Sequence, residues 1–370
     1  MHKILKTTMD LIKIKSASGN EAEIKKAIDY CKKYFVKKKV FFKVFKYKGA
    51  SPVVLISNVD KKNFDIMSVG HLDVVPAKDS QFKPRIAGDK LYGRGAVDMK
   101  QAIALAMFDL EYVIDNKIDI AFAVLITTDE ETTSNGIKNF VKDNPQIGAK
   151  IIFDNDAGYL NTIIEKYKHS IGVKLMTKGS AGHSSRPWNN TNAVTSLIGV
   201  INELQKTFPQ YSKKQKIPKD TWIDTMEVTG FNSSTSANIT PELAEALLNF
   251  RLTEKTDLKD LRKILDKAVK DRDTSYEIVM SSCGCYMDAK SKYIQHYKKI
   301  ADKVVGKKLK VTHMNGATDA RMFAEKSTII MHGLDGKGEH SDNEYLVISS
   351  MDKMVEIHKQ FIDDLVSGKL

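Results

Sequence analysis

The stretch DIMSVGHLDVVP, Asp65 to Pro76, is apolar over several consecutive residues and then breaks into a histidine and an acid. A run with no polar face suits a strand buried in a sheet that helices cover, since a half-solvated strand would alternate. The same shape recurs in VVLISN (Val53 to Asn58), AFAVLITTDEE (Ala121 to Glu131), KIIFDND (Lys150 to Asp156) and STIIMHG (Ser327 to Gly333). Between these runs lie segments of helical period, such as MKQAIALAMFDLEYVI after Asp98. The pattern predicts an α/β domain. In such sheets functional groups gather beyond the carboxyl ends of the strands, and three of the runs carry His or acidic residues there.

From about Lys174 to about Ser281 the order changes to strand, helix, strand, strand, helix, strand, carried by VKLMT, a helix from Asn192, WIDTMEVTG, ALLNFRL, a helix from Leu258, and YEIVMS. That order is the ferredoxin-like arrangement. It predicts a smaller domain over 174–285 inserted into a larger one formed by 1–173 and 286–370, with turning points near 172–178 and 282–290. A chain of 370 residues is long enough for two cores.

Composition narrows the function. The first thirty residues have apolar positions at helical spacing interrupted by lysines, unlike a secretory leader. No window reaches the apolar length of a membrane span. The three cysteines, Cys31, Cys283 and Cys285, lack the spacing of a zinc knuckle and suit a reducing compartment, so a cytoplasmic protein with no membrane partner is expected. The net charge of +12 comes from lysines scattered along helices without aromatic interleaving, which predicts a solvated surface and no nucleic-acid partner.

The chemistry-bearing residues stand at the strand ends. In GHLDVVP, His71 and Asp73 are two apart on an extended segment and so share a face, where Asp73 can orient the imidazole as a metal ligand. In LYGRGAVDMK, Asp98 enters an apolar helix; it suits either a carboxylate at a helix N-terminus or one that bridges two ions. Asp129, Glu130 and Glu131 are three successive acids whose mutual repulsion cations would relieve, although a solvated acidic turn is the plain alternative. A division of labour follows if Glu131 binds an ion while Glu130 stays free as general base. DNDAG and GEHSDNEY add Asp154, Asp156 and His340, each of which alone would pass as turn chemistry.

Seven motifs in order, GHLDVVP, GRGAVDMK, the acid pair of DEE, GSAGHSSRP, the stretch from SANITP to NFRL, GATDAR and EHSDNEY, resemble those of the M20 metallopeptidase family over nearly the whole chain. The resemblance implies a mixed-sheet zinc-peptidase catalytic domain with helices on both faces and an inserted ferredoxin-like α+β lid and dimerisation domain. It implies two divalent ions, zinc first with cobalt or manganese also accepted, held by His71, Asp98, Glu131, Asp156 and His340, with Asp98 bridging. Glu130 becomes the base and Asp73 the partner of His71. His183, Asn238 and Arg251 become substrate-binding residues, His183 reaching an active site of a homodimer and Arg251 suiting a substrate carboxylate.

Two positions depart from the family pattern. Many deacylase members carry Glu-Pro where this chain reads Asp154-Asn155-Asp156; Asp156 resembles the peptidase members, and Asp154 stays open. Gln101 stands where a glycine often follows the DMK, with little consequence expected. The implied activity is hydrolysis of an amide or peptide bond in a small peptide or N-acyl amino acid. The competing readings are a catalytically silent peptide-binding relative, which would lack a ligand or the base, and a two-metal phosphoesterase, which would show phosphate-clamping glycine loops or extra arginines.

Overall fold

The computed structural model describes residues 3–211, 214–215, 217–218, 221–233 and 236–370. The chain divides into two compact units, Met1–Glu165 with Met287–Leu370, and Lys166–Tyr286. The expected boundary at 174 and the turning point at 172–178 fall inside the strand His169–Lys178, which is hydrogen-bonded to a neighbour on each side. All of that strand, with both of its neighbours, therefore belongs to the second unit.

The sheet of the first unit runs in spatial order Phe41–Tyr47, Ala50–Ser57, Phe122–Thr127, Asn63–His71, Gly148–Asp154, Thr328–Met331 and Thr162–Tyr167. Its four central strands, from Phe122–Thr127 to Thr328–Met331, are parallel. The flanking pairs are antiparallel, which makes the sheet mixed. The long apolar runs follow from cover on both faces. Val54, Ile56, Val124, Ile126, Ile151 and Phe153 join one core with Leu11, Ile103 and Phe361 of the helices Lys3–Ile12, Lys100–Asp115 and Ile348–Val366. The alternate residues Val53, Leu55, Ala123, Leu125 and Ile152 are equally buried. On their face lies the helix Asn135–Asp143, whose Phe140 meets the ring of Phe45 edge-on at 5.0 Å. Each large side chain so buried is worth about 1.5–3 kcal/mol relative to exposure. Among the described residues no helix is long and apolar enough to cross a membrane.

A second, smaller sheet positions the loops of the site. Gly336–Lys337, Tyr345–Val347, Lys90–Tyr92 and Arg85–Ala87 form it in that order. Pairing of Tyr345 with Tyr92 and Leu346 with Leu91 brings the loop after residue 92 beside the loop between 337 and 345.

The second unit has four antiparallel strands in the order Thr225–Ser233, Leu243–Leu252, His169–Lys178 and Thr274–Ser282. The helices Ala193–Thr207 and Leu258–Val269 bury Leu197, Val200, Leu261 and Leu265 against Val173, Leu175, Leu248 and Phe250. Both helices begin at side-chain caps, Asn192 and Asp257, whose oxygens accept from backbone N–H groups of the first turn. With its strand–helix–strand, strand–helix–strand chain order, this unit is ferredoxin-like.

Candidate metal centre

The parallel strands end on one edge, and the acids and histidine of the first unit emerge there. His71 closes the strand Asn63–His71, Asp154 closes Gly148–Asp154, and Asp129 to Glu131 follow Phe122–Thr127. Asp98 arrives from the loop after Tyr92, just before the helix Lys100–Asp115, and His340 from the loop between the two strands beside it. The backbone can turn this tightly because Gly95 adopts φ +83°, and a Cβ there would lie 2.8 Å from the Lys100 side chain.

Two groups of candidate ligands result, and they share Asp98. In the first, His71, Asp98 and Asp156 converge; in the second, Asp98, Glu131 and His340 do, each with ligand atoms within 4.8 Å of one another. The two oxygens of Asp98 face different histidines: Oδ1 lies 3.2 Å from His71 Nε2 and Oδ2 lies 3.1 Å from His340 Nε2. Asp156 Oδ2 is 3.8 Å from His71 Nε2, and Glu131 Oε2 is 2.8 Å from His340 Nε2. Glu130 Oε2 stands at 4.0 Å from His71 Nε2, outside both groups. Asp154 is turned elsewhere, its Oδ2 accepting from Thr318 Oγ1 at 2.6 Å and its Oδ1 from the Asp156 N–H at 3.1 Å. Asp129 also points away and accepts from the Gly136 N–H at 2.9 Å.

Beneath His71 sits Asp73, wholly buried. His71 Nδ1 is 2.9 Å from the Asp73 carbonyl and 3.5 Å from its carboxylate. The carboxylate accepts from Ser18 Oγ at 2.7 Å and from the backbone N–H groups of Glu130 and Glu131, each at 3.2 Å. Asp73 therefore ties the histidine to the acidic turn. Burial raises its pKa, but His71, Ser18 and the Glu130 N–H together hold it below the usual value.

The electrostatics suit cations. Burial pushes Glu130 up to about 8, with Asp319 and Glu131 adding to the rise and His71 opposing it. Burial, with Asp98 and Glu130 nearby, raises Asp156 far above the carboxylate range. Asp98 moves the other way: burial raises it, but the imidazoles of His340 and His71 beside its two oxygens outweigh that and bring it well below the usual value. The hydrogen bond to Asp98 pushes His340 up to about 9, with Glu131 assisting against burial. Among the described residues, two buried ligand atoms, His71 Nε2 and Glu131 Oε1, have no hydrogen-bond partner. Such atoms are costly unless something electropositive meets them. A two-histidine, three-carboxylate set with a shared aspartate fits two divalent ions of the zinc, cobalt or manganese kind.

The three substrate-side candidates belong to the second unit. His183 is exposed on the short strand Gly182–His183, paired with Ile239, and its Nδ1 accepts from the Ser185 N–H at 3.1 Å. Asn238 is exposed next to it in the pairing; its carbonyl accepts from the Ser184 N–H at 3.0 Å. Arg251 lies on the strand Leu243–Leu252, half-buried, with Nε donating to Asn249 Oδ1 at 3.1 Å.

Sequence reasoning gave no role to Glu344 or Arg94. Glu344 is buried and its carboxylate accepts from the N–H groups of Gly95 (3.1 Å), Val97 (3.0 Å) and Asp98 (3.2 Å) and from Arg94 Nη1 (2.5 Å). Arg94 Nη2 also donates to the Ser341 carbonyl at 3.3 Å, next to His340. One carboxylate thus clamps the loop of Asp98 to the loop of His340. The signal was an acid inside EHSDNEY, yet its donors lie some 250 positions away in sequence. Gln101, expected to matter little, is buried and donates to the Val97 carbonyl at 2.9 Å, closing the turn that holds Asp98.

Residues 67–364 match the peptidase family M20/M25/M40. The chain is 31% identical over 340 residues to a succinyl-diaminopimelate desuccinylase of Pelagibacter ubique, covering 86% of this chain and 87% of that protein. Among solved structures it resembles the M20 family metallo-carboxypeptidase Sso-CP2 of Sulfolobus solfataricus, with TM-score 0.79 and 19% identity over 98% of this chain and 99% of the other. It also resembles the YXEP protein of Bacillus subtilis, a dinuclear metal binding peptidase of the M20 family, with TM-score 0.69 and 12% identity over 98% and 97%.

Proposed function

This chain belongs to peptidase family M20/M25/M40 and is a metallohydrolase of amide bonds, and we propose that it cleaves a small N-acyl amino acid or peptide bearing a carboxylate. One observation carries the residue assignment: the two groups of candidate ligands share Asp98, with one carboxylate oxygen turned to each histidine. His71, Asp98 and Asp156 would hold one ion and Asp98, Glu131 and His340 the other. When bound, the ions would acidify a water and polarise the scissile carbonyl, and zinc suits the donor set first.

The rest is the work of the side chains. Glu130, beside the first group yet outside both, takes the proton of the attacking water and returns it to the leaving amine. Asp73 keeps His71 oriented. His183 stabilises the oxyanion, and Asn238 and Arg251 bind the substrate, with Arg251 paired to its carboxylate; we propose that they act in a homodimer. The thiols of Cys31 and Cys283 favour a reducing, cytoplasmic setting.

The relative's name favours an N-succinyl amino acid as substrate. Asp156, in place of the glutamate of many deacylases, favours a dipeptide. Zinc- or cobalt-loaded protein should be offered dipeptides, N-acetyl and N-succinyl amino acids and N-succinyl-diaminopimelate, with Glu130→Gln as the blank. Cleavage confined to acyl amino acids establishes the first reading, and cleavage of dipeptides alone the second. No cleavage at all would return the catalytically silent reading. Mixing His183→Ala with Glu130→Gln should partly restore turnover if the histidine serves a partner subunit; failure of that rescue removes action in trans.

A further inference from the structure

Next to the turn that carries Asp156 lies a buried polar chain with no part in the hydrolysis described above. Asp109 of the helix Lys100–Asp115 and His358 of the helix Ile348–Val366 are both fully buried, with Asp109 Oδ2 2.6 Å from His358 Nδ1. The imidazole stacks on Phe153, their ring centroids 4.2 Å apart. Its other nitrogen, Nε2, is 3.4 Å from Asn155 Nδ2, and that same amide nitrogen is 2.7 Å from the carbonyl oxygen of His332. Asn155 stands between Asp154 and Asp156, and strand alternation sends its side chain to the sheet face opposite theirs.

The proton positions follow from these distances. A carbonyl oxygen only accepts, so the atom facing His332 must be the NH2 end of the Asn155 amide. The same NH2 faces His358 Nε2, which must therefore present its lone pair. The ring proton then sits on Nδ1 and is donated to Asp109, the partner that fixes this tautomer. His332 is itself anchored, with Nδ1 3.1 Å from the Tyr297 hydroxyl, Nε2 2.9 Å from the Leu160 carbonyl, and its backbone N–H donating to the Asp154 carbonyl at 3.0 Å. The residues on either side of Asn155 are thus held by a network that reaches three helices, the third being Lys292–Val305, which carries Tyr297.

Resting on the two-ion reading above, we infer that His358, held by Asp109 in its Nδ1-protonated tautomer, is a positioning residue that orients the Asn155 amide and, through it, the turn presenting Asp156 to the metal centre. The inference predicts which end of the ring matters. Glutamine places an acceptor near the former Nε2, whereas asparagine mimics only Nδ1 and leaves the Asn155 amide with the His332 carbonyl alone.

The test is isothermal titration of metal-free protein with Zn²⁺ for the unaltered chain and for His358→Leu, His358→Asn and His358→Gln, with melting of the metal-free proteins in parallel. His358→Leu and His358→Asn should weaken one of the two ions about 10–100-fold, as loss of an outer partner does in other metal sites, while His358→Gln stays within a few-fold of the unaltered chain. If His358→Leu does not fold, Asn155→Ala breaks the same contact from the other side and should weaken the same ion. Unchanged affinities in all variants, whatever their melting temperatures, would overturn the inference, because a purely structural role moves only the melting. An unaltered protein that binds no Zn²⁺ would overturn the two-ion reading and this inference with it.

Discussion

The two groups of candidate ligands are built differently. His71 and Asp156 sit at or just beyond the ends of neighbouring parallel strands, and the His71 side chain is 1% exposed. Apart from the shared Asp98, the second group takes Glu131 from a turn and His340 from a loop, where its side chain is 54% exposed and its backbone adopts φ +61°. The sheet itself holds the first group. The second depends on contacts between distant loops, with Glu344 at their centre. The comparison teaches that strand ends are brought together by the sheet and need only partners buried behind them, whereas loop ligands need a buried clamp from loop to loop.

The sharpest break in this comparison is chemical. Glu130→Gln should lower kcat by about 10²–10⁴-fold while the protein still binds two ions, because Glu130 lies outside both groups. Steady-state kinetics beside metal analysis of the dialysed protein checks both halves, and loss of an ion would make Glu130 a ligand instead. Next in size, Glu344→Gln puts an amide NH2 among backbone N–H donors and should weaken the ion of the Glu131 and His340 group by about 10–100-fold, leaving the His71 and Asp156 group less affected. Titration with Co²⁺, followed by its visible absorption, reads the two sites; equal losses at both would erase the distinction drawn between them.

A pH series sharpens the same contrast. With its pKa raised to about 9, His340 keeps its proton in the folded metal-free protein above the unfolded value of about 6.5. Its contribution to stability is therefore fully present below about pH 6.5 and lost as pH rises through 9. An ion requires the neutral imidazole, so affinity at the second group should climb by about tenfold per pH unit over that window. Melting of metal-free protein and metal titration from pH 6 to 9 should trend in opposite directions, and His340→Ala should flatten the first. The smallest effect is expected of Ser18→Ala, which removes one of the donors to Asp73 and should cost about 0.5–1.5 kcal/mol in denaturant unfolding without loss of either ion.

The same division explains what could be read in advance. His71, Glu131 and Asp156 follow long apolar runs, and a run that ends in acids is visible in a window of a dozen residues. His340 and Asp98 carry no such local mark and were reached through the order of seven motifs. Asp156 rather than Asp154 faces the first group because Asp154 spends one oxygen on the Asp156 N–H and the other on Thr318, a contact across 164 positions that no local pattern encodes. The second unit starts at Lys166, ahead of the expected 174, because apolar alternation begins late in His169–Lys178 whereas its pairing begins at His169.

By itself the sequence determined the α/β and ferredoxin-like pattern, the family and the residue types of the candidate centre, because periodicity and strand-end chemistry are local. Only the tertiary structure decided that Asp98 turns one oxygen to each histidine, that Glu344 and Arg94 clamp the two loops, and that Asp109 and His358 stand behind Asn155. These depend on side chains hundreds of positions apart meeting inside a packed interior, where a buried donor or acceptor must find whichever partner the fold brings to it.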